Sequence, residues 1–159
     1  MAVFHRKINR LAPVHYLGTG NYSLTIATSG RKIVFVSKNV VTYHLSVLGQ
    51  SAIKRNFDII AYCYMPDHVH LLVSGKETTS DLTAFVRSYK QITGYQYRKQ
   101  IGDFLWQKSF YDHILRREES FREVVRYILG NPVRKQMVER PEDYPYSGSL
   151  VYGQDIFKC

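Results

Sequence analysis

Residues 57–74 read FDIIAYCYM-PD-HVHLLVS. Phe57–Met65 is rich in β-branched and aromatic residues, which fit a pleated, half-buried surface. Pro66-Asp67 supplies a short turn. His68–Ser74 then returns as the second arm of a hairpin. Strand side chains alternate between faces. His68 and His70 therefore point one way, and Val69, Leu71 and Val73 point the other, toward a core.

The elements on either side follow from their own periodicities. Upstream, Asn21–Thr28 (NYSLTIAT) alternates like a strand, with Tyr22, Leu24 and Ile26 on one face. Lys32–Val36 is expected to continue the extended region after a turn at Ser29-Gly30-Arg31. Asn39 to about Arg55 is free of breakers except Gly49 and predicts an irregular helix. Downstream, Thr79-Ser80-Asp81 predicts a helix start. Leu82, Phe85, Val86, Tyr89 and Ile92 follow at helical spacing, to about Gln100, with Gly102 as the stop. Leu105–Arg116 predicts a long strand. Glu118–Gly130 predicts a last helix with Phe121, Val124, Val125, Ile128 and Leu129 on one face, and Pro132 makes Asn131 its boundary. The order β-α-β-β-α-β-α predicts an α+β fold. It is the ferredoxin-like (RRM-like) β-α-β-β-α-β arrangement, with a central antiparallel sheet, helices across one face and an extra C-terminal helix.

A chain of 159 residues suits one domain over residues 1–159, with a core at about 16–147 and short extensions at each end. With 22 Lys+Arg against 13 Asp+Glu, the formal charge is +9. That excess favours an anionic partner, most simply nucleic acid, with an anionic membrane surface the lesser option. No apolar run approaches the roughly 18 residues of a membrane span, and the basic N-terminus lacks the apolar stretch of a signal peptide. Cys63 and Cys159 form neither a disulfide framework nor a CxxC pattern, which fits a reducing cytoplasm.

Two imidazoles one strand step apart can bind one divalent metal and leave room for a third ligand, water and substrate oxygens. An isolated HxH also arises in surface or hydrogen-bonded histidines. No cysteine or HxxxH partner completes a closed zinc site. An open site using phosphate oxygens and waters fits Mg²⁺ or Mn²⁺ better than Zn²⁺.

Tyr127 lies in RYILGNP, residues 126–132, four before Asn131. Both are expected on one face of the last helix, with Glu123, beside the apolar stripe. A tyrosine suits DNA strand transfer because its attack on phosphorus conserves the phosphodiester energy in a covalent ester. Asn131 offers an amide oxygen to a metal or orients a water. Taken alone, Tyr127 reads more simply as a boundary aromatic and Asn131 as a helix cap.

Three stretches taken in order change that balance. YCYMPDHVHLLVS resembles the HUH strand of single-tyrosine transposases. LWQKSFYDHILR and RYILGNPVRKQMVERPEDYPYS resemble the following segment and the tyrosine helix of the REP-associated branch. The resemblance covers roughly Tyr16 to Ser147. It implies a ferredoxin-like fold, His68 and His70 as the metal pair, Tyr127 as the nucleophile and Asn131 as a further metal contact. It also implies cleavage and rejoining of single-stranded, hairpin-bearing DNA through a 5′-phosphotyrosine. Insertion-sequence relatives carry Gln more often at the position of Asn131 and work as dimers. Asn131-Pro132 favours the REP-associated branch, whose members can act as monomers, so monomer and homodimer both stay open. His113 matches a recurrent histidine that either approaches the metal or, as favoured here, holds Asp112 or a backbone carbonyl.

Arg6, Lys7, Arg10, Arg31, Lys32, Arg87, Lys90, Arg98 and Lys99 are candidate phosphate contacts. So are Arg116, Arg117, Arg122, Arg126, Arg134 and Lys135 around the last helix. Tyr95, Tyr97, Trp106 and Tyr111 are candidate base-stacking residues, Trp106 reading better as core. The competing readings are a non-catalytic or domesticated nucleic-acid-binding module of the same fold and a metal phosphoesterase using water.

Overall fold

The computed structural model describes residues 10–116 and 119–159. Arg6, Lys7 and Arg117 lie outside them. Among the described residues the longer elements run β1 (Asn21–Ala27), α1 (Lys38–Arg55), β2 (Phe57–Met65), β3 (His68–Gly75), α2 (Leu82–Ile101), β4 (Tyr111–Ile114), α3 (Phe121–Leu129), α4 (Asn131–Arg134) and β5 (Ser147–Gly148). The strands form an antiparallel sheet in the order β4-β1-β3-β2-β5. The chain is thus α+β, with the β-α-β-β-α-β order expected from the sequence and a short fifth strand added at the β2 edge.

The helix ends are capped, α2 at the Asp81 and Gly102 positions expected from the sequence. Ser37, Asp81 and Ser120 cap the N-termini of α1, α2 and α3, each side chain accepting a backbone N–H three residues on. Asn56 and Gly102 close α1 and α2 in left-handed conformation, Gly102 at φ 83°. The hairpin closes on Met65 opposite His68, with Pro66-Asp67 between them. The Pro66 carbonyl accepts from the N–H groups of both Val34 and Phe35. That pairing holds residues 32–36 against the turn as irregular chain rather than as the extension of β1 that their composition suggests.

A bulge in β2 between Ile59 and Ala61 resets the alternation. Phe57 and Ile59 face one side of the sheet, and Tyr64 shares it. Ile60, Ala61, Cys63 and Met65 face the other. Both sides are covered. α1 and α2 pack on the first face over Leu24, Ile26, Val69, Leu71 and Val73. α3 packs on the second through Val124, Val125, Ile128 and Leu129, with Leu72, Tyr144 and Ile156. The extra C-terminal helix expected from the sequence covers the second face of the sheet. A helix of nine residues is too short to hold by itself, so α3 depends on this second core.

Two further expectations change. The strand expected over Leu105–Arg116 shrinks to Tyr111–Ile114. Trp106 makes only an isolated bridge to Thr28, and the Gln107 carbonyl turns to the Lys90 ammonium on α2. Ile92, expected on the apolar stripe of α2, is exposed. Trp106 packs against the first core and donates through Nε1 to Thr93 Oγ1. No helix of the described residues is long and apolar enough to cross a membrane.

Candidate active site

Strand register draws a line of side chains across the α3 face: Tyr111, Thr25, His70, Cys63 and Ser147 stand opposite one another in turn. His68 lies one step along β3 on the same face, beside Met65 and Ala27. The histidines thus sit on the second packed face, and His68 is buried.

The two rings meet edge to face, with Nε2 atoms 3.0 Å apart. Their outer nitrogens are held. His68 Nδ1 donates to Asp67 Oδ1 at 2.6 Å, and His70 Nδ1 lies 2.9 Å from the Thr25 hydroxyl. Asp67 Oδ2 is paired with Arg31 Nε at 2.9 Å. The carboxylate fixes His68 in the tautomer whose Nε2 carries a lone pair. When the Thr25 hydroxyl accepts from His70, the second Nε2 lone pair enters the same space. Burial lowers the proton affinity of His68 despite Asp67. Burial, then His68, Arg134 and Arg31, push His70 down to about 3. Both rings are therefore neutral near pH 7, the form that binds metals.

The pair fits an open divalent site. The two Nε2 atoms, 3.0 Å apart, are close enough to serve one divalent ion as neighbouring ligands. No group of three His, Cys, Asp or Glu side chains stands ready for a metal among the described residues. The remaining positions would fall to amide, water or phosphate oxygens.

α3 ends at Leu129, and Asn131 opens α4 across the Gly130 junction. Asn131 is buried, and its amide Nδ2 has no hydrogen-bond partner. It therefore stands on α4 rather than on one helix with Tyr127 and Glu123, and unlike Tyr127 it is buried. An unpaired buried amide costs about 1–3 kcal/mol, and Asn131 Nδ2 is one of a few buried side-chain atoms without a partner among the described residues.

Tyr127 is 37% exposed. Its ring stands edge-on to His70 in the same chain, centroids 6.4 Å apart. The Arg134 guanidinium lies over it, 4.1 Å from the centroid, and donates through Nη2 to the Tyr127 carbonyl at 2.6 Å. Charges of Arg31 and Arg134 reach His70, and those of Arg31 and Lys135 reach His68. The site presents a positive field suited to a phosphate group. His113 lies on the same sheet face, opposite Ser23. Its Nε2 meets Glu119 Oε2 at 2.6 Å.

Several candidate cations are engaged within the fold. Arg10 lies over Phe110 and pairs with Asp112, Lys32 pairs with Asp103, and Arg126 donates to the Cys159 carbonyl. On the opposite face, a cavity of about 570 Å³ between α2 and residues 104–110 is lined by Arg87, Lys90 and Arg98 with Tyr95, Phe104 and Trp106. Sequence reasoning passed over Thr25 and took Asp67 only as a turn residue. Asp67 had a signal, a carboxylate directly before the HVH. Thr25 had none, because it arrives by strand pairing from 45 residues away.

Comparison with known proteins gives three concordant results. The sequence profile described as "Transposase IS200 like" matches residues 18–131. A REP-associated tyrosine transposase of Escherichia coli K12 is 27% identical over 138 residues, covering 84% of this chain and 78% of that protein. A Haemophilus influenzae protein provisionally named as a REP-associated tyrosine transposase is 27% identical over 139 residues, 80% of this chain and 78% of that protein. Among solved structures, a REP-associated tyrosine transposase bound to a REP hairpin superposes with a TM-score of 0.70. It is 24% identical and covers 92% of this chain and 82% of that one.

Proposed function

Since the chain belongs to the IS200-like transposase family, we propose that it cuts and rejoins single-stranded, hairpin-bearing DNA through a covalent tyrosine link. Tyr127 is the nucleophile, and His68, His70 and Asn131 hold Mg²⁺ or Mn²⁺. The observation that carries this reading is the placement of the Tyr127 ring beside His70 within one chain. It supports a site assembled without a partner copy.

The phenol oxygen of Tyr127 attacks phosphorus in line. A P–O bond to tyrosine forms, the bond to the 3′ oxygen breaks, and that oxygen leaves as a 3′-OH after taking a proton. The product is a 5′-phosphotyrosine, so the bond energy is kept. A 3′-OH later attacks the same phosphorus, restores a phosphodiester and releases the phenol. When bound, the cation would polarise the phosphate oxygens and neutralise charge in the transition state. Thr25 and Asp67 orient the two imidazoles, and Arg31 and Lys135 attract the anionic backbone. The cationic, aromatic cavity on the far face supports contacts to DNA outside the cleavage site.

The test is incubation with a library of hairpin-bearing single strands and Mn²⁺, followed by a denaturing gel. Wild type is expected to yield a protein–DNA adduct that disappears with EDTA and in Tyr127→Phe, while DNA binding persists. An adduct that survives in Tyr127→Phe overturns the nucleophile. Binding without any adduct points instead to a non-catalytic module of this fold.

A further inference from the structure

Arg134 is placed by local backbone geometry rather than by chance of surface packing. Its backbone N–H donates to the Gly130 carbonyl, which continues the turn from α3 into α4. Its side chain then folds back along the helix end. The guanidinium bonds the Tyr127 carbonyl and covers the Tyr127 ring in one conformation. Gly130 leaves the room for this: a Cβ there would lie 2.8 Å from the Arg126 carbonyl oxygen and 3.1 Å from Arg134 Nη1. The covered ring is the one that faces His70.

We propose that Arg134 is a positioning residue that clamps the Tyr127 ring at the histidine pair. This deepens the transposase reading and rests on it. In-line attack needs the reacting atoms about 3–3.5 Å apart, and a 1 Å misplacement costs about 100-fold in rate. A planar guanidinium makes both contacts at once, lying flat on the ring while its edge donates to the carbonyl. A lysine ammonium is a point charge and cannot do both.

The test uses the full chain with 3-fluorotyrosine incorporated, the Tyr127 ¹⁹F line being identified by its loss in Tyr127→Phe. In Arg134→Gln, that line is expected to move toward the position of exposed tyrosines. Adduct formation at saturating hairpin DNA is expected to slow by about 10–100-fold, with the half-saturating DNA concentration changed less than about threefold. Arg134→Lys is expected to stay nearer to Arg134→Gln than to wild type. An unmoved ¹⁹F line, or an unchanged rate, overturns the clamp. So does weaker binding with a salt slope reduced by about one and a normal rate at saturation, which marks a phosphate contact. If wild type forms no adduct on any strand, the transposase reading fails, and the ¹⁹F line still decides whether Arg134 holds Tyr127.

Discussion

Replacing Asp67 perturbs the histidine pair without touching either ring or the turn that carries them. Its carboxylate bridges His68 Nδ1 at 2.6 Å and Arg31 Nε at 2.9 Å. Its backbone carbonyl separately accepts from the N–H and hydroxyl of Thr28, bonds that a side-chain change leaves in place. Asp67→Asn can still accept from His68 through its amide oxygen, but it then turns an NH₂ group toward the Arg31 donor. The loss is that of a charge-assisted bond reduced to a neutral one, about 1–1.5 kcal/mol, or roughly tenfold in Mn²⁺ affinity. Asp67→Ala removes the orienting acceptor altogether and is expected to cost about 10–100-fold. Titration of Mn²⁺ followed by electron paramagnetic resonance reads the free ion directly. Thermal unfolding of the metal-free proteins checks the fold. Mn²⁺ affinities within twofold of wild type in both variants would refute the claim that this carboxylate orients a metal ligand.

Two further outcomes follow from buried polar groups. Asn131→Leu removes an amide whose Nδ2 is unpaired, so the variant is expected to melt at or above the wild-type temperature while losing Mn²⁺ affinity and adduct formation; a lower melting temperature with normal Mn²⁺ affinity would show that Asn131 serves packing alone. His44, bonded to the Tyr89 hydroxyl in the first core, is pushed by burial from 6.5 down to about 4. The unfolded chain takes up a proton here below about pH 6.5 while the folded chain stays neutral to about pH 4. Stability therefore falls through that window, by up to about 3 kcal/mol, and this contribution levels off below it. Urea unfolding across pH 4–7 is expected to show a shallower slope in His44→Gln, and equal slopes would contradict the assignment.

The local elements were legible because their signals are local. β2 occupies the span that its β-branched and aromatic run predicts, and α2 starts after Asp81 and stops at Gly102 as capping chemistry requires. The HVH pair drew notice through residue type and spacing, whereas Tyr127 was singled out only by the resemblance of its helix to the REP-associated branch. The regions that misled have partners far away in the chain. Residues 105–116 look continuous as a strand, yet their early part bonds Thr28, Ala27 and Lys90 before β4 begins. Residues 32–36 look extended, yet the N–H groups of Val34 and Phe35 go to the Pro66 carbonyl and that of Val36 goes to the Val34 carbonyl. Arg134 was legible only as a surface cation, because its fold-back over Tyr127 depends on the Gly130 turn.

By itself the sequence determined the hairpin, the shared face of His68 and His70, the ends of α2 and the basic balance, since each depends on residues a few positions apart or on composition alone. The tertiary structure decided which face those histidines share with α3, which residues hold their outer nitrogens, and that Asn131 is buried while Tyr127 is not. Those outcomes depend on the β2 bulge, on strand pairing between β1 and β3, and on where a nine-residue helix finds apolar cover. Such contacts are set by burial across the whole chain, and no local spacing encodes them.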